Sequence, residues 1–342
     1  MNQEQTLCQM FVYSLTMNEL AARVVDGALE LSVVGSFSRV GPALRRRLES
    51  WHDPSPDSLA GATALVTGPT SGLGRATALS LAELGARVVL LGRSESRLSE
   101  LSNALADLTG EQRYPWVVVD MASLASVRNA VQNVLATEKR LDVVVDNAGA
   151  IYPERGLTKD GIEKTLATLV VGPFALVSGL LPLLANSPPA RVIAVTSGGM
   201  YAQRVDLADL QWANRPYVGA RAYAQAKRIQ VTLMREWARR ASPTTVSFNA
   251  MHPGWADTPG LAESLPGFYR VMRLLLRSVD EGSDTIRWLA TEPDLDPPGG
   301  RLYLDRRARP FDRAPWTRLG RDEREELWDE IAELALRETA SI

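Results

Sequence analysis

From residue 62 onward the chain alternates short apolar runs with helix-like stretches, and this alternation limits its fold more than any other feature. The runs lie at 62–67, 87–91, 116–120, 141–147, 191–197, 245–251 and 300–304. Between them, the apolar spacing predicts helices over 73–84, 95–108, 123–138, 159–184, 221–241 and 281–290. Strands that are apolar throughout, rather than at every second residue, belong to a parallel sheet covered by helices on both faces. Seven such strands predict a doubly wound α/β domain with ligands at the carboxyl ends of its strands. That domain is expected to span 59–305, between an N-terminal helical extension with its linker (1–58) and a C-terminal tail (306–342). In the tail, Leu327, Trp328, Ile331, Leu334 and Leu336 fall at roughly helical spacing over 321–338, which predicts a docking helix.

The first run leads directly into Thr67-Gly68-Pro69-Thr70-Ser71-Gly72-Leu73-Gly74, and a helix follows. Glycines at such a turn let the backbone approach a pyrophosphate, whose charge then meets the helix N-terminus. A glycine-rich turn alone is weak, but one between strand and helix points to a dinucleotide and a Rossmann-type sheet. The second run ends Leu91-Gly92-Arg93. An acid there would accept hydrogen bonds from the adenosine ribose; Arg93 can instead pair with a 2′-phosphate, so NADP(H) is expected in preference to NAD(H).

Tyr223 and Lys227 stand four residues apart within one predicted helix and therefore share a face. The chain holds eight tyrosines and only four lysines. Random placement predicts roughly 0.09 such pairs, so coincidence explains the spacing poorly. An unperturbed phenol has a pKa of about 10, and a neighbouring ammonium is expected to move it towards the range of a general acid–base catalyst.

Taken together, Thr67–Gly74, Asp146-Asn147-Ala148-Gly149, Ser197 at a strand end, Tyr223 with Lys227, and Pro253-Gly254 resemble the short-chain dehydrogenase/reductase family, in order, over about residues 60–305. A closer likeness, through 38–47, 251–260 and Leu304-Asp305-Arg306, is to its subfamily called dehydrogenase/reductase member twelve. The resemblance implies an NAD(P)-dependent oxidoreductase in which Ser197 holds the substrate oxygen, Tyr223 transfers a proton and Lys227 binds the nicotinamide ribose. It implies that Gly68, Ser71, Gly72, Leu73 and Gly74 meet the cofactor phosphates and that Asp120 and Met121 lie near the adenine. Asn147, Ala148 and Gly149 would support sheet and cofactor, while Pro253, Gly254 and Thr258 would meet the nicotinamide end. One departure stands out: where the family pattern places an asparagine three residues before a glycine, this chain has Leu169 before Gly172. That asparagine helps order a proton relay behind the lysine, so a slower relay is expected, and a catalytically impaired nucleotide-binding scaffold or sensor is the alternative reading.

The substrate is expected beneath an apolar lid over 255–279, with Trp255, Leu261, Leu265 and Phe268 among its residues, which suits a lipophilic carbonyl or alcohol. Met200, Tyr201, Trp212 and Tyr217 are expected on the opposite wall. A net charge of −2 gives no field that would draw nucleic acid. The single cysteine, Cys8, fits a reducing cytoplasm, and two distant histidines, His52 and His252, predict no metal site. No uncharged apolar stretch is read as approaching the ~20 residues of a membrane span. In the extension, Glu19, Arg23, Asp26 and Glu30 form one narrow helical stripe, and Leu20, Val24, Val25, Leu29 and Leu31 cover the rest, up to an interruption at Gly35, Gly41 and Pro42. Packing of that apolar surface on the main domain is the favoured expectation; contact with a membrane surface or a second subunit through 18–47 is the alternative. Family members often associate through the tyrosine helix and the one before it, so a homo-oligomer is compatible with the sequence.

Overall fold

In a computed structural model of the protein, the described residues are 20–111, 114–241, 246–293, 295 and 299–337. Cys8 and Glu19, named above, and positions 18, 245 and 338, which bound ranges given above, lie outside them. Three helices open this part of the chain: α1 (residues 20–31), α2 (Val33–Phe37) and α3 (Val40–Leu48). The first break falls at Ser32, not at Gly35, because the Ser32 hydroxyl caps α2 by accepting from the Gly35 N–H. Pro42 sits in the first turn of α3, where a proline removes no helical hydrogen bond.

The sheet then follows the predicted alternation: β1 (Thr63–Thr67), α4 (Gly72–Glu83), β2 (Arg87–Gly92), α5 (Glu95–Thr109), β3 (Trp116–Val118), α6 (Leu124–Thr137) and β4 (Val143–Asp146). The second half holds α7 (Lys164–Leu166), α8 (Gly172–Ala185), β5 (Ala190–Val195), α9 (Gly219–Arg240) and β6 (Val246–Met251). The short α10 (Pro259–Ser264) and α11 (Pro266–Met272) precede α12 (Val279–Thr291), β7 (Arg301–Leu304), β8 (Arg307–Arg309) and α13 (Arg321–Leu336). Among the described residues the sheet has eight strands in the order β3-β2-β1-β4-β5-β6-β7-β8, one more than expected. The additional strand, β8, turns back antiparallel on β7, the rest being parallel. It escaped the sequence reading because Arg307-Ala308-Arg309 carries no apolar run. The strand order reverses between β1 and β4, so the carboxyl ends of β1, β4, β5 and β6 gather around one crevice.

The predicted helix over 159–184 starts only at Lys164 and is interrupted by a π-helical turn over Ala167–Val171. Residues 164–185 also correct the statement about spans: this stretch is long and apolar enough to cross a membrane by length and composition, but it lies largely buried in the protein. Its apolarity serves the core. Leu169, Leu176 and Leu180 pack there with residues of β1, β4 and β5. On its outer side lies α13, with Trp328 edge-on to Phe174 of α8 (4.9 Å between ring centroids) and to Trp237 of α9 (4.7 Å). The two helices proposed for subunit contact are thus already partly covered by the chain's own tail.

The extension docks on the domain, but with a mixed face that differs from expectation. Asp26 and Glu30 of the charged stripe turn inward beside the buried Ala22 and Leu29, while Arg23 of that stripe is exposed and Val24 and Leu31 remain 65% and 91% exposed. Asp26 takes hydrogen bonds from Arg45 (2.7 Å) and from Arg309 of β8 (2.8 Å); Glu30 pairs with Arg45 and Arg313. Arg45 reaches on to Asp305 (2.5 Å), which also binds Arg277 (2.6 Å). Burial raises the Asp26 carboxyl, but hydrogen bonds and charge from Arg309 and Arg45 outweigh it and hold the group well below the usual carboxylate range. Buried ions persist only when paired in this way. The β8 arginines supply those partners, and they fix which face of α1 points in.

Candidate active site

Every residue proposed for the cofactor lines one continuous cleft along the carboxyl edge of the sheet. Its dinucleotide half, about 540 Å³, is bounded by Gly68, Ser71, Gly72, Leu73, Gly74, Arg93, Asp120, Met121, Asn147, Ala148 and Gly149. Its other half, about 430 Å³, is bounded by Ser197, Tyr223, Lys227, Pro253, Gly254 and Thr258, and the two share Leu73, Asn147, Gly149, Ala150, Thr258 and Gly260. A hollow of about 680 Å³ at the opposite edge, around Gly61, Arg87 and Tyr114, holds no comparable set of groups.

The glycine loop is shaped by contacts that a side chain would destroy. A Cβ on Gly74 would lie 2.2 Å from the Gly68 carbonyl and 2.4 Å from Asn147 Nδ2. That asparagine amide donates to the carbonyls of Thr67 (2.9 Å) and Gly68 (3.2 Å), tying β4 to the loop. Thr67 completes the latch, its hydroxyl accepting from the backbone N–H groups of Asn147 (3.0 Å) and Ala148 (2.9 Å). At the far end Arg93 is joined by Arg97, one turn into α5, which the sequence reading missed although its i+4 spacing marks it. The cleft therefore fits a dinucleotide: a cradle too tight for side chains at one end, and two guanidiniums at the other.

Ser197 follows β5; its hydroxyl accepts from the Gly199 N–H (3.4 Å) and lines the same half of the cleft as the Tyr223 phenol. Lys227, one turn along α9, donates from Nζ to the Val195 carbonyl (2.8 Å) and lies 5.7 Å from the Tyr223 ring centroid. The Thr196 hydroxyl donates to the Lys227 carbonyl (2.9 Å), so α9 and the end of β5 are locked in register. One expectation needs correcting. Desolvation pushes the phenol up to about 12 against the opposing pull of the Ser197 hydroxyl, so in the protein alone it is raised and not lowered. Lys227 is itself weakened as an acid-holding charge, since burial lowers it to about 8 against the pull of Asp146.

Two further groups stand behind Lys227. Asp146 ends β4, is buried, and accepts from Gln230 Nε2 at 2.8 Å, while its Oδ1 has no partner among the described residues. Burial raises its carboxyl to about 6, opposed by Lys227 and by hydrogen bonds from Gln230 and Thr67. Gln230 lies three residues beyond Lys227 on the same helix face, a signal the sequence did carry. Leu169 is fully buried in the π-helical turn, with Cδ2 3.1 Å from where a Gly149 Cβ would sit. It adds no polar atom to the cleft.

The lid divides. Trp255, Leu261, Leu265 and Phe268 line the cleft, but Val271 and Leu274 face away and are 79% and 76% exposed. The expected opposite wall does not form. Met200 and Tyr201 are buried in the core, Trp212 is buried against Tyr217 and under Arg215, and the Tyr217 hydroxyl bonds to Thr165 (2.8 Å). Of that segment Gly199 lines the cleft. What sequence reasoning missed entirely is Phe37. Its ring lies 2.4 Å from where a Gly198 Cβ would be, and its carbonyl accepts from Trp255 N–H (2.8 Å) and Arg277 Nε (3.0 Å). The extension thus backs both the serine loop and the Pro253–Trp255 loop.

The short chain dehydrogenase family model matches residues 62–266, and the chain belongs to that family. It is accordingly an NAD(P)-dependent oxidoreductase. Among curated proteins it is similar to dehydrogenase/reductase SDR family member 12 of Homo sapiens, 38% identical over 248 residues that cover 72% of this chain and 77% of the relative. Retinol dehydrogenase 14 of Mus musculus is 35% identical over 268 residues, 73% of this chain and 79% of that one. An uncharacterized protein of known structure from Mycobacterium paratuberculosis superposes with a TM-score of 0.64 at 28% identity, over 82% of this chain and 97% of that chain.

Proposed function

We propose that the protein interconverts a carbonyl and an alcohol on a lipophilic small molecule, with NADP(H) as the preferred cofactor and Tyr223 as the acid–base group. The observation that carries this reading is the single cleft joining the glycine loop to Ser197, Tyr223 and Lys227. In carbonyl reduction, Tyr223 Oη donates its proton to the substrate oxygen while the Ser197 hydroxyl hydrogen-bonds the same oxygen. A bound nicotinamide supplies the hydride chemistry. Lys227 orients the ribose, and Asp146 with Gln230 puts polarity behind it where Leu169 puts none. Arg93 and Arg97 favour a 2′-phosphate, and no acid lines that end of the cleft except Asp120. The apolar lining of the other half, and the name of the retinol dehydrogenase relative, support a lipophilic substrate. The scaffold alternative is not favoured, because the groups that chemistry requires converge on one cleft.

The test is a screen of lipophilic aldehydes, ketones and alcohols with NADPH consumption or formation as readout. Tyr223→Phe is expected to lower turnover by about 10²–10⁴-fold while NADPH binding, followed by fluorescence, stays near wild type. Unchanged turnover in that variant overturns the assignment.

A further inference from the structure

A helix that buries two acids while leaving apolar side chains outside is an anomaly, since apolar surface is the part that water drives inward. Here α1 turns Asp26 and Glu30 into a buried network and leaves Val24 and Leu31 outside, and Val33 and Val34 of α2 are each 48% exposed. The same inversion occurs in the lid, whose Val271 and Leu274 point outward. The two surfaces meet, because the Arg39 N–H, between α2 and α3, donates to the Leu275 carbonyl at 2.9 Å, and Leu275 is itself part exposed. An apolar surface of this extent on a folded protein marks a contact to be made.

Charge says with what. Both acids of α1 are turned inward, so the outward residues of 20–48 and of the lid carry Arg23, Arg39, Arg46, Arg47, Arg270 and Arg273 against two acids, Asp257 and Glu263. Among the described residues Arg39, Arg47, Arg270 and Arg273 make no ion pair, although the whole chain has a net charge of −2. Apolar side chains fringed by unpaired arginines suit an anionic lipid surface, where each basic residue adds to the attraction. The chain that precedes residue 20 is likewise apolar, with Leu7, Met10, Phe11, Val12 and Leu15 and only Glu4 and Glu19 charged. It continues from the end of α1 that bears the exposed Leu20.

We infer that the outward face of the extension and the outer side of the lid form one docking surface for an anionic bilayer, beside the mouth of the substrate cleft. Resting on the reading of a lipophilic substrate, this placement lets such a compound pass from lipid to the Leu265 and Phe268 side of the lid without crossing water. The lid has two faces for this reason: one meets substrate, the other the bilayer.

The full-length protein is to be sedimented with vesicles of phosphatidylserine and phosphatidylcholine in equal parts, and with phosphatidylcholine alone. Binding to the first, at least tenfold weaker to the second and weakened by salt, is expected. The double variants Val24→Asp with Leu31→Asp, and Val271→Asp with Leu274→Asp, should each lose at least tenfold in binding while keeping turnover of a soluble carbonyl. Tyr223→Phe should sediment like wild type, so loss of the catalytic reading and loss of this one are told apart. Absence of vesicle binding by the wild type overturns the inference. So does binding that both double variants retain, which would assign it to residues 1–19 alone. A stable dimer in light scattering that either double variant converts to monomer also overturns it, because a second copy then covers the face.

Discussion

Replacing Phe37 by alanine tests whether the N-terminal extension belongs to the active site. The side chain is 4% exposed and sits edge-on to His252 (4.6 Å between centroids) and Trp255 (5.8 Å), with its ring against Gly198. Truncation of a buried phenylalanine costs about 3–5 kcal/mol through lost transfer energy and the cavity left behind. The neighbouring rings of Tyr201, His252 and Trp255 relax only in part into such a space, so the cost falls within that range. Loss of the aromatic edge contacts adds about 0.5–1.5 kcal/mol per pair at most. Denaturant unfolding should thus show the loss at unchanged slope, and the melting temperature should fall by on the order of 10 °C. The same cavity frees the loop that carries Ser197, and a misplacement of about 1 Å at a reacting group costs up to roughly 10²-fold in rate. The kinetic expectation is therefore a fall in kcat larger than any rise in the KM for NADPH, because Phe37 backs Pro253 and Gly254 at the nicotinamide end but not the Gly68–Gly74 loop or Arg93. Phe37→Leu, which keeps most of the volume, should recover most of both losses. A Phe37→Ala protein within 1 kcal/mol of wild type and with full kcat would refute the argument that the extension backs the site.

Other outcomes follow from the charged groups. Asp146→Asn removes the carboxylate that supports the Lys227 ammonium against burial, so the alkaline limb of kcat/KM, set in wild type near the lysine value of about 8, should move to lower pH; an unmoved limb would show that the pair is not coupled. His252 is fully buried with neither ring nitrogen hydrogen-bonded among the described residues, and burial together with the charge of Arg277 and its neighbours holds it well below 6.5. The folded state then binds fewer protons than the unfolded state below pH 6.5, so this residue subtracts stability as pH falls, by up to about 1.4 kcal/mol per pH unit. His252→Leu should unfold at higher denaturant and show a shallower loss between pH 6.5 and 5; an identical slope would remove histidine from the explanation. Arg93→Ser should raise the KM for NADPH by roughly 10–100-fold, the worth of charge-assisted hydrogen bonds, and leave that for NADH nearly unchanged; equal effects on both would place the arginine away from the 2′-phosphate.

Much of this protein can be read from its sequence because the relevant signals are local. Continuous apolar runs separated by helical spacing dictate a covered parallel sheet, and strand, glycine turn and helix in succession dictate the phosphate cradle between Gly68 and Gly74. Tyr223 and Lys227 are four residues apart on one helix, so their common face follows from helical geometry alone. Other features depended on distant partners. That Asp26 and Glu30 turn inward was decided by Arg307, Arg309 and Arg313, more than 280 residues later in the chain, on a strand and loop with no apolar signature. Without those guanidiniums a charged stripe belongs in water, and the opposite orientation of α1 is the reasonable expectation. Likewise an apolar periodicity measures how wide a face is but not what it meets. Only tertiary structure could place Phe37 against Gly198, set Asp146 and Gln230 behind Lys227, bury Met200 and Tyr201, and divide the lid into a face on the cleft and a face on the outside.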